Sequence, residues 1–333
     1  MAIFLRAQGV RRFALHRALQ AVAVTVTVAV VAFLLVHFAP GDPFSLSLGD
    51  PGITDAWRAQ QRALFGLDQP LPSQLWHLAS GYLRGDFGWS IRHARPVADV
   101  LRHALPNTVL LMGTGLTLGL VSGVALGTWQ AARRGTAGER LSGALALAVV
   151  SVPEFLIAIG AIALVARHLH WLPASGLIDQ RAHYSLGAAG RVGDVLRHLA
   201  LPALVIATTV AAAVSRYHRA AMLAVLEQDY IRTARAKGLT EWPVIVRHAL
   251  PNALASVLAL TGLLLPALFG GAIVVEQFFD WPGMGRLMFD AALGRDYPLI
   301  VGGVVLAGAL VAVGSAVTDV LAHTLNPRLE LDA

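Results

Sequence analysis

The chain has 333 residues, of which 56% are hydrophobic and 14% charged, and its mean hydropathy is +0.62. This balance excludes an ordinary soluble domain, and the absence of cysteine excludes disulfide and thiol chemistry. The net charge of +6 raises the question of a nucleic-acid partner, but the basic residues flank apolar segments, which favours a lipid bilayer and no nucleic acid.

The first apolar run covers residues 18–38 and follows four arginines, so it has the outline of a signal peptide. It is long enough to cross about 30 Å of hydrocarbon. The residues after Phe38 lack the small-residue pattern of a cleavage site. We therefore predict an uncleaved first span, preceded by a short N-terminal segment, residues 1–17.

Five further apolar segments are long enough to be spans, and six spans place both chain ends on one side of the membrane. These segments are residues 108–132, 141–166, 199–215, 253–275 and 299–322. The sequence thus predicts an all-α, polytopic membrane protein with six transmembrane helices. Its parts are the first span, an outer segment (39–106) that forms a small cap, a five-helix core (107–322) and a C-terminal tail (323–333).

The charges predict the orientation. If both ends are cytoplasmic, the inner segments are residues 1–17, 133–140, 216–252 and 323–333, and they hold 14 Lys and Arg against 6 Asp and Glu. The rest of the chain holds 12 against 14. This excess of inner basic residues is the positive-inside asymmetry. It predicts cytoplasmic N- and C-termini and a cytoplasmic position for residues 216–252, which we call the elbow.

Small and ionisable residues mark the second, third and fifth spans. Gly119, Gly123 and Gly127 recur every four residues, which predicts either a close-packed helix contact or a surface on which helices slide. Glu154 lies near the middle of the third span, where a charge costs about 2.5–3.5 kcal/mol. It is either buried against a neighbouring helix or exposed to a wet translocation pathway. Glu276, at the outer end of the fifth span, is the second pathway candidate.

In the elbow, the apolar residues from Leu223 to Ala234 follow helical spacing and are predicted to share one face. Gly238 is predicted to end that helix in the left-handed conformation. Thr240 then caps a second short helix, which Pro251 closes. Two capped helices between spans predict a rigid, charged hinge that passes force to a soluble partner.

Two kinds of chemistry are missing from the sequence. The only lysine, Lys237, is followed by Gly238 and Leu239, so the chain has no Gly-x-x-x-x-Gly-Lys-Ser/Thr loop for ATP phosphates. His168 and His170 do not share a helix face, so no metal site is predicted.

The elbow resembles the coupling loop of ABC importer permeases, whose motif is Glu-Ala-Ala, three residues, Gly, nine residues and Ile-x-Leu-Pro. The matching positions are Ala234, Gly238, Leu250 and Pro251, and the departures are Arg232, Thr233 and His248. The form DYIRTARAKG at residues 229–238 is similar to the variant in dipeptide and oligopeptide permease subunits. FGLDQPL at residues 65–71 and DWPGMG at residues 280–285 extend the resemblance, which covers about residues 12–328.

The resemblance implies a type I ABC importer permease fold in the cell inner membrane and a role in translocating di- or oligopeptides. It implies three kinds of partner: a second homologous permease subunit, two ATP-binding subunits and a periplasmic solute-binding protein. This chain would then be a non-catalytic subunit that binds no cofactor, because ATP and Mg²⁺ are used by the ATP-binding subunits.

Particular residues are assigned by the same resemblance. The expected ATPase-coupling residues are Asp229, Arg232, Thr233, Ala234, Arg235, Lys237, Gly238, His248, Leu250 and Pro251. The expected docking residues for the binding protein are Asp42, Asp68, Asp86, Trp281 and Asp296. Three alternatives remain open. They are a related importer for nickel complexes or glutathione, an ion-gradient-driven secondary carrier, and a membrane scaffold that uses the elbow only as a docking site.

Overall fold

The computed structural model describes residues 2–38, 68–254 and 273–325, together with positions 56, 59, 60, 63, 66 and 257. Side chains are described from residue 14 to residue 316 within these stretches. The described chain is helical through most of its length, which confirms the predicted all-α class. It forms two compact units, one of residues 1–106 and 287–333 and the other of residues 107–286.

The first helices in chain order are α1 (Ala2–Phe38), α2 (Leu71–Leu83), α3 (Val97–Ala132), α4 (Ala137–Ser151), α5 (Glu154–Ala161) and α6 (Ala188–Leu226). They are followed by α7 (Asp229–Ala236), α8 (Glu241–Pro243), α9 (Ile273–Phe278), α10 (Met284–Leu293) and α11 (Tyr297–Leu325). π-Helical turns cover Ile162–His168 and Val244–Ala249, and a 3₁₀ turn covers His183–Ser185. A short antiparallel hairpin pairs β1 (Trp89–Ser90) with β2 (Arg95–Pro96).

In the first unit, α1 packs along α11. The contact centres on Ala32, Val301 and Val305, with Leu78 and Tyr82 of α2 packed against them. Gly308 lets the two long helices approach closely, since an added Cβ there would lie 3.1 Å from Val28.

In the second unit, glycines bring α3 and α6 together. A Cβ on Gly119 would lie 2.6 Å from Val210, and one on Gly123 would lie 2.8 Å from Val214. A Cβ on Gly127 would likewise lie 2.7 Å from the backbone oxygen of Ser215. The predicted glycine stripe is therefore a close helix contact, in which no side chain larger than hydrogen fits on the α3 side.

Four of the six predicted spans appear as helices that are long and apolar enough to cross a membrane. These helices are Ala14–Phe38, Val97–Ala132, Ala188–Leu226 and Tyr297–Ala316. The predicted span at residues 253–275 lies mostly outside the described residues. The number six therefore stays a prediction.

The predicted third span, residues 141–166, is not one straight helix. Its two helical parts, Ala137–Ser151 and Glu154–His168, meet at an angle of 102°. The break occurs because Pro153 has no N–H to donate and forces Val152 into an extended conformation (φ −87°, ψ 128°). Glu154 consequently lies in the first turn of α5, directly after the break, while it keeps its predicted place near the middle of residues 141–166.

Candidate functional site

The elbow folds around a small apolar core in the second unit. Ile231 is fully buried and Ala234 nearly so, and both pack with Met222, Val244 and Ala249. The predicted shared face holds for Leu223, Leu226 and Ala234, which pack in this core, but not for Tyr230, because α6 ends at Leu226 and α7 begins at Asp229. This break changes the phase of the helix, so that Ile231 points inward while Tyr230 is 43% exposed.

The turn after α7 has the predicted glycine stop. Gly238 adopts φ +82°, and its N–H donates to the Arg235 carbonyl at 2.9 Å. Thr240 has the extended backbone of a capping residue, but its side chain makes no capping hydrogen bond. The turn is instead closed by Arg235, whose guanidinium donates to both carboxylate oxygens of Glu241 at 2.8 and 3.2 Å. This paired geometry holds α7 and α8 at a defined angle.

The C-terminal end of the elbow is held to α7 by side-chain hydrogen bonds. Asn252 donates from Nδ2 to the Tyr230 hydroxyl at 2.9 Å and to the His248 carbonyl at 2.8 Å. Pro251 does not end the helix as predicted, because helical backbone continues to residue 254. The π-helical turn Val244–Ala249 ends two residues before this proline, whose ring nitrogen has no proton to donate.

The predicted coupling residues divide by exposure. Ala234 is buried in the elbow core, and Leu250 packs against it. The exposed members are Asp229, Arg232, Thr233, Arg235, Lys237, Gly238 and Pro251, and His248 is half-buried. Asp229 and Arg232 form an ion pair at 3.3 Å, which contributes little stability because both side chains are open to solvent.

Sequence reasoning missed the largest exposed apolar group of the described elbow. Trp242 is 72% exposed and Leu239 is 40% exposed, on the turn that carries the charged residues. An exposed tryptophan is typical of a protein–protein contact. Its position directly after the polar residues Thr240 and Glu241 was the available signal.

The two pathway candidates lie in different surroundings. Glu154 is half-buried at the first turn of α5, where the helix dipole favours a carboxylate. Thr209 Oγ1 of α6 lies 3.5 Å from Glu154 Oε1 and 2.9 Å from the Ile206 carbonyl, so its proton is directed mainly at the backbone. Glu154 therefore keeps a carboxylate that its neighbours satisfy only weakly.

Glu276 is fully buried and well bonded. Its carboxylate accepts hydrogen bonds from Thr108 Oγ1 at 2.7 Å and from the Arg286 backbone N–H at 2.9 Å. Thr108 in turn accepts from the Met284 N–H at 2.6 Å. This network joins the start of the apolar part of α3 to the loop after α9, within the second unit.

The five docking candidates are placed very differently by the structure. Asp68 and Asp86 are exposed, and Asp42 lies outside the described residues. Trp281 is fully buried, and its indole N–H donates to the Asn107 carbonyl at 2.9 Å. Asp296 is also fully buried. Its carboxylate accepts from Ser90 Oγ and the Arg92 N–H, and it caps the start of α11. Neither buried side chain is available to a docked partner in this conformation.

Two family models and several known proteins match the sequence of this chain. The family model described as binding-protein-dependent transport system inner membrane component matches residues 123–331, and the model for the N-terminal part of such components matches residues 10–112. The oligopeptide transport system permease protein AppB of Bacillus subtilis is 36% identical over 319 residues, which are 96% of this chain and 99% of the relative. The glutathione transport system permease protein GsiC of Escherichia coli is 37% identical over 305 residues, which are 91% of this chain and 93% of the relative.

Proposed function

The chain belongs to the family of binding-protein-dependent transport system inner membrane components, and on that premise we propose that it is a peptide-translocating subunit of an ABC importer. The observation that carries the proposal is the elbow, a rigid two-helix hinge with a buried core and an exposed charged face. Such a hinge can transmit a displacement because its parts are tied together by the Arg235–Glu241 pair and the Asn252 contacts.

The proposed partner of the exposed face is an ATP-binding subunit. ATP and Mg²⁺ would be held by two such subunits, and their closure would move the elbow together with α6, which leads directly into it. A second homologous permease subunit would complete the pathway. The inner position of the elbow is supported by the excess of basic residues in the predicted inner segments.

Peptide cargo is proposed because a relative named for oligopeptide transport matches nearly the whole chain. A relative named for glutathione transport has a similar identity, so glutathione is the alternative cargo. Within the chain we place a cargo contact at Glu154, whose weakly satisfied carboxylate suits a peptide amino terminus. The three hydrogen bonds of the Glu276–Thr108 network support a structural role for Glu276 instead.

On the outer side we propose that Asp68 and Asp86 belong to the docking surface for a solute-binding protein, since both carboxylates are exposed. Replacing each with Asn should weaken binding-protein association without changing assembly with the ATP-binding subunits. Unchanged association would remove these two residues from the surface.

The decisive experiment measures uptake of a labelled dipeptide into vesicles that contain this chain, its copurifying subunits and the binding protein. Uptake should require ATP and should persist when the proton and sodium gradients are collapsed. Uptake that follows an ion gradient in the absence of an ATP hydrolase would establish a secondary carrier. A complex that binds its partners but moves no solute would establish a scaffold.

A further inference from the structure

The second unit contains a cavity of about 690 Å³ between α4 and α6, next to the end of α3. The first residues of the elbow form part of its wall, since Arg216 and Arg219 line it. No residue assigned above to the translocation pathway or to ATPase coupling lines it. Its two ends have different chemistry.

One end of the cavity is polar and built from buried groups. Glu139 is nearly buried, and its Oε1 lies 2.7 Å from Nη2 of Arg219. Gln130 is fully buried, and its Nε2 donates to Ser142 Oγ at 3.1 Å. This bond fixes the orientation of the amide at the cavity wall.

Two polar atoms at this end lack a partner among the described residues. They are Oε1 of Gln130 and Nε of Arg219. A buried acceptor and a buried donor without partners each cost about 1–3 kcal/mol when left unsatisfied. Both atoms lie just beneath the cavity wall, and a shift of their side chains would present one hydrogen-bond acceptor and one cationic donor to a ligand.

The other end of the cavity is apolar and open. Leu147 and Val150 of α4 line it and are 50% and 46% exposed. Val150 lies eleven positions after Glu139 in α4, which corresponds to about 16 Å along the helix axis. The cavity thus runs from a charged end near the helix termini to an apolar end within a predicted span.

We propose that this cavity binds one phospholipid with an anionic, hydroxyl-bearing headgroup such as phosphatidylglycerol. Arg216 and Arg219 against Glu139 leave one net positive charge on the lining, which matches a single phosphodiester. The phosphate contacts Arg216 and Nε of Arg219, a headgroup hydroxyl donates to Oε1 of Gln130, and an acyl chain covers Leu147. Basic pockets between helices at the cytoplasmic boundary suit lipid headgroups in this way.

A peptide is the less suitable occupant, because the apolar end opens on exposed side chains of α4 that are typical of a lipid-facing surface. The proposal does not depend on the cargo or on ATP coupling. Only the assignment to the inner leaflet depends on the proposed orientation.

The test uses the purified full-length chain with its copurifying subunits, after removal of endogenous lipid. Dioleoyl phosphatidylglycerol and dioleoyl phosphatidylethanolamine are titrated separately, and bound lipid is counted by native mass spectrometry. We expect tighter binding of phosphatidylglycerol. Arg216→Gln should weaken it about fivefold, the effect of one basic side chain on an anionic lipid. Gln130→Met, which removes the acceptor, should weaken it as well.

Arg133→Gln is the matched control, because Arg133 is an exposed arginine near the same helix ends that does not line the cavity. Its effect should stay within twofold. Equal losses for the Arg133 and Arg216 variants would overturn the proposal in favour of general charge attraction. Displacement of the lipid by millimolar dialanine or inorganic phosphate would overturn it in favour of a cargo site or a free-anion site. Equal affinity for the two lipids would overturn the headgroup assignment.

Discussion

Glu276 and Gly283 lie so close together that a Cβ on the glycine would fall 2.5 Å from the glutamate carboxylate. The carboxylate cannot move away without breaking its hydrogen bonds to Thr108 Oγ1 and the Arg286 N–H. Glycine is thus required at position 283 because a neighbouring side chain leaves no room for a Cβ, and not because the backbone there has a positive φ.

Gly283→Ala should therefore destabilise the protein by about 1–3 kcal/mol, as expected for an added group in a packed site. The measurement is the thermal unfolding midpoint of the purified protein in detergent. Gly113→Ala is the control, since a Cβ there meets nothing within 4 Å. The relationship is refuted if both variants unfold at the temperature of the unchanged protein.

The helix contact between α3 and α6 makes a second prediction. Gly119→Ala should be destabilising, because its Cβ would lie 2.6 Å from Val210. Adding Val210→Gly to the same chain should restore much of the stability, because it removes both atoms that clash, Cβ and Cγ1. Thermal midpoints of the two single variants and the double variant measure how strongly positions 119 and 210 depend on each other. Purely additive effects would show that the two helices shift apart freely, which is the sliding alternative.

The positive φ of Gly238 makes a third prediction. Gly238→Ala has open space around its Cβ, so its cost should be the backbone strain of the left-handed conformation, about 1–2 kcal/mol. Gly238→Asn should cost less, because asparagine tolerates that conformation. Both the yield of copurified ATP-binding subunits and the thermal stability should be highest with Gly at position 238, lower with Asn and lowest with Ala. An alanine variant that matches the glycine form in both measurements would contradict the strain.

The exposed Trp242 makes a fourth prediction. Trp242→Ala should leave the thermal midpoint unchanged, because the side chain is 72% exposed. It should weaken association with ATP-binding subunits by about 2 kcal/mol, roughly thirtyfold, if it is an anchor of the interface. Trp171→Ala, at a tryptophan that is 68% exposed, is the matched control for loss of an exposed indole. Equal association of both variants would exclude Trp242 from the contact.

The carboxylate of Glu154 makes a fifth prediction. Glu154→Gln should reduce ATP-dependent uptake of a dipeptide with a free amino terminus. It should have little effect on an N-acetylated dipeptide that the binding protein also delivers, because that cargo has no terminal cation. Vesicles that carry equal amounts of each protein provide the comparison. Parallel loss of both cargoes would indicate a structural role for the carboxylate near Thr209.

The sequence by itself was sufficient for the membrane class, for four long apolar helices and for the glycine stop of the elbow. These features depend on composition, local periodicity and the conformational freedom of one residue, all of which can be evaluated without knowing what packs where. The resemblance at residues 229–238 was equally local, and the family comparison confirmed it.

Only the tertiary structure decided which polar residues are buried and bonded. Asp296 looks like a surface carboxylate in the sequence, yet it binds Ser90, 206 positions away. Gln130 of α3 and Arg219 of α6 line the same cavity. The sequence around neither residue has a pattern that predicts this cavity. Burial and hydrogen bonding between distant residues depend on how helices pack, and helix packing is set by many side chains together, so no single stretch of sequence contains it.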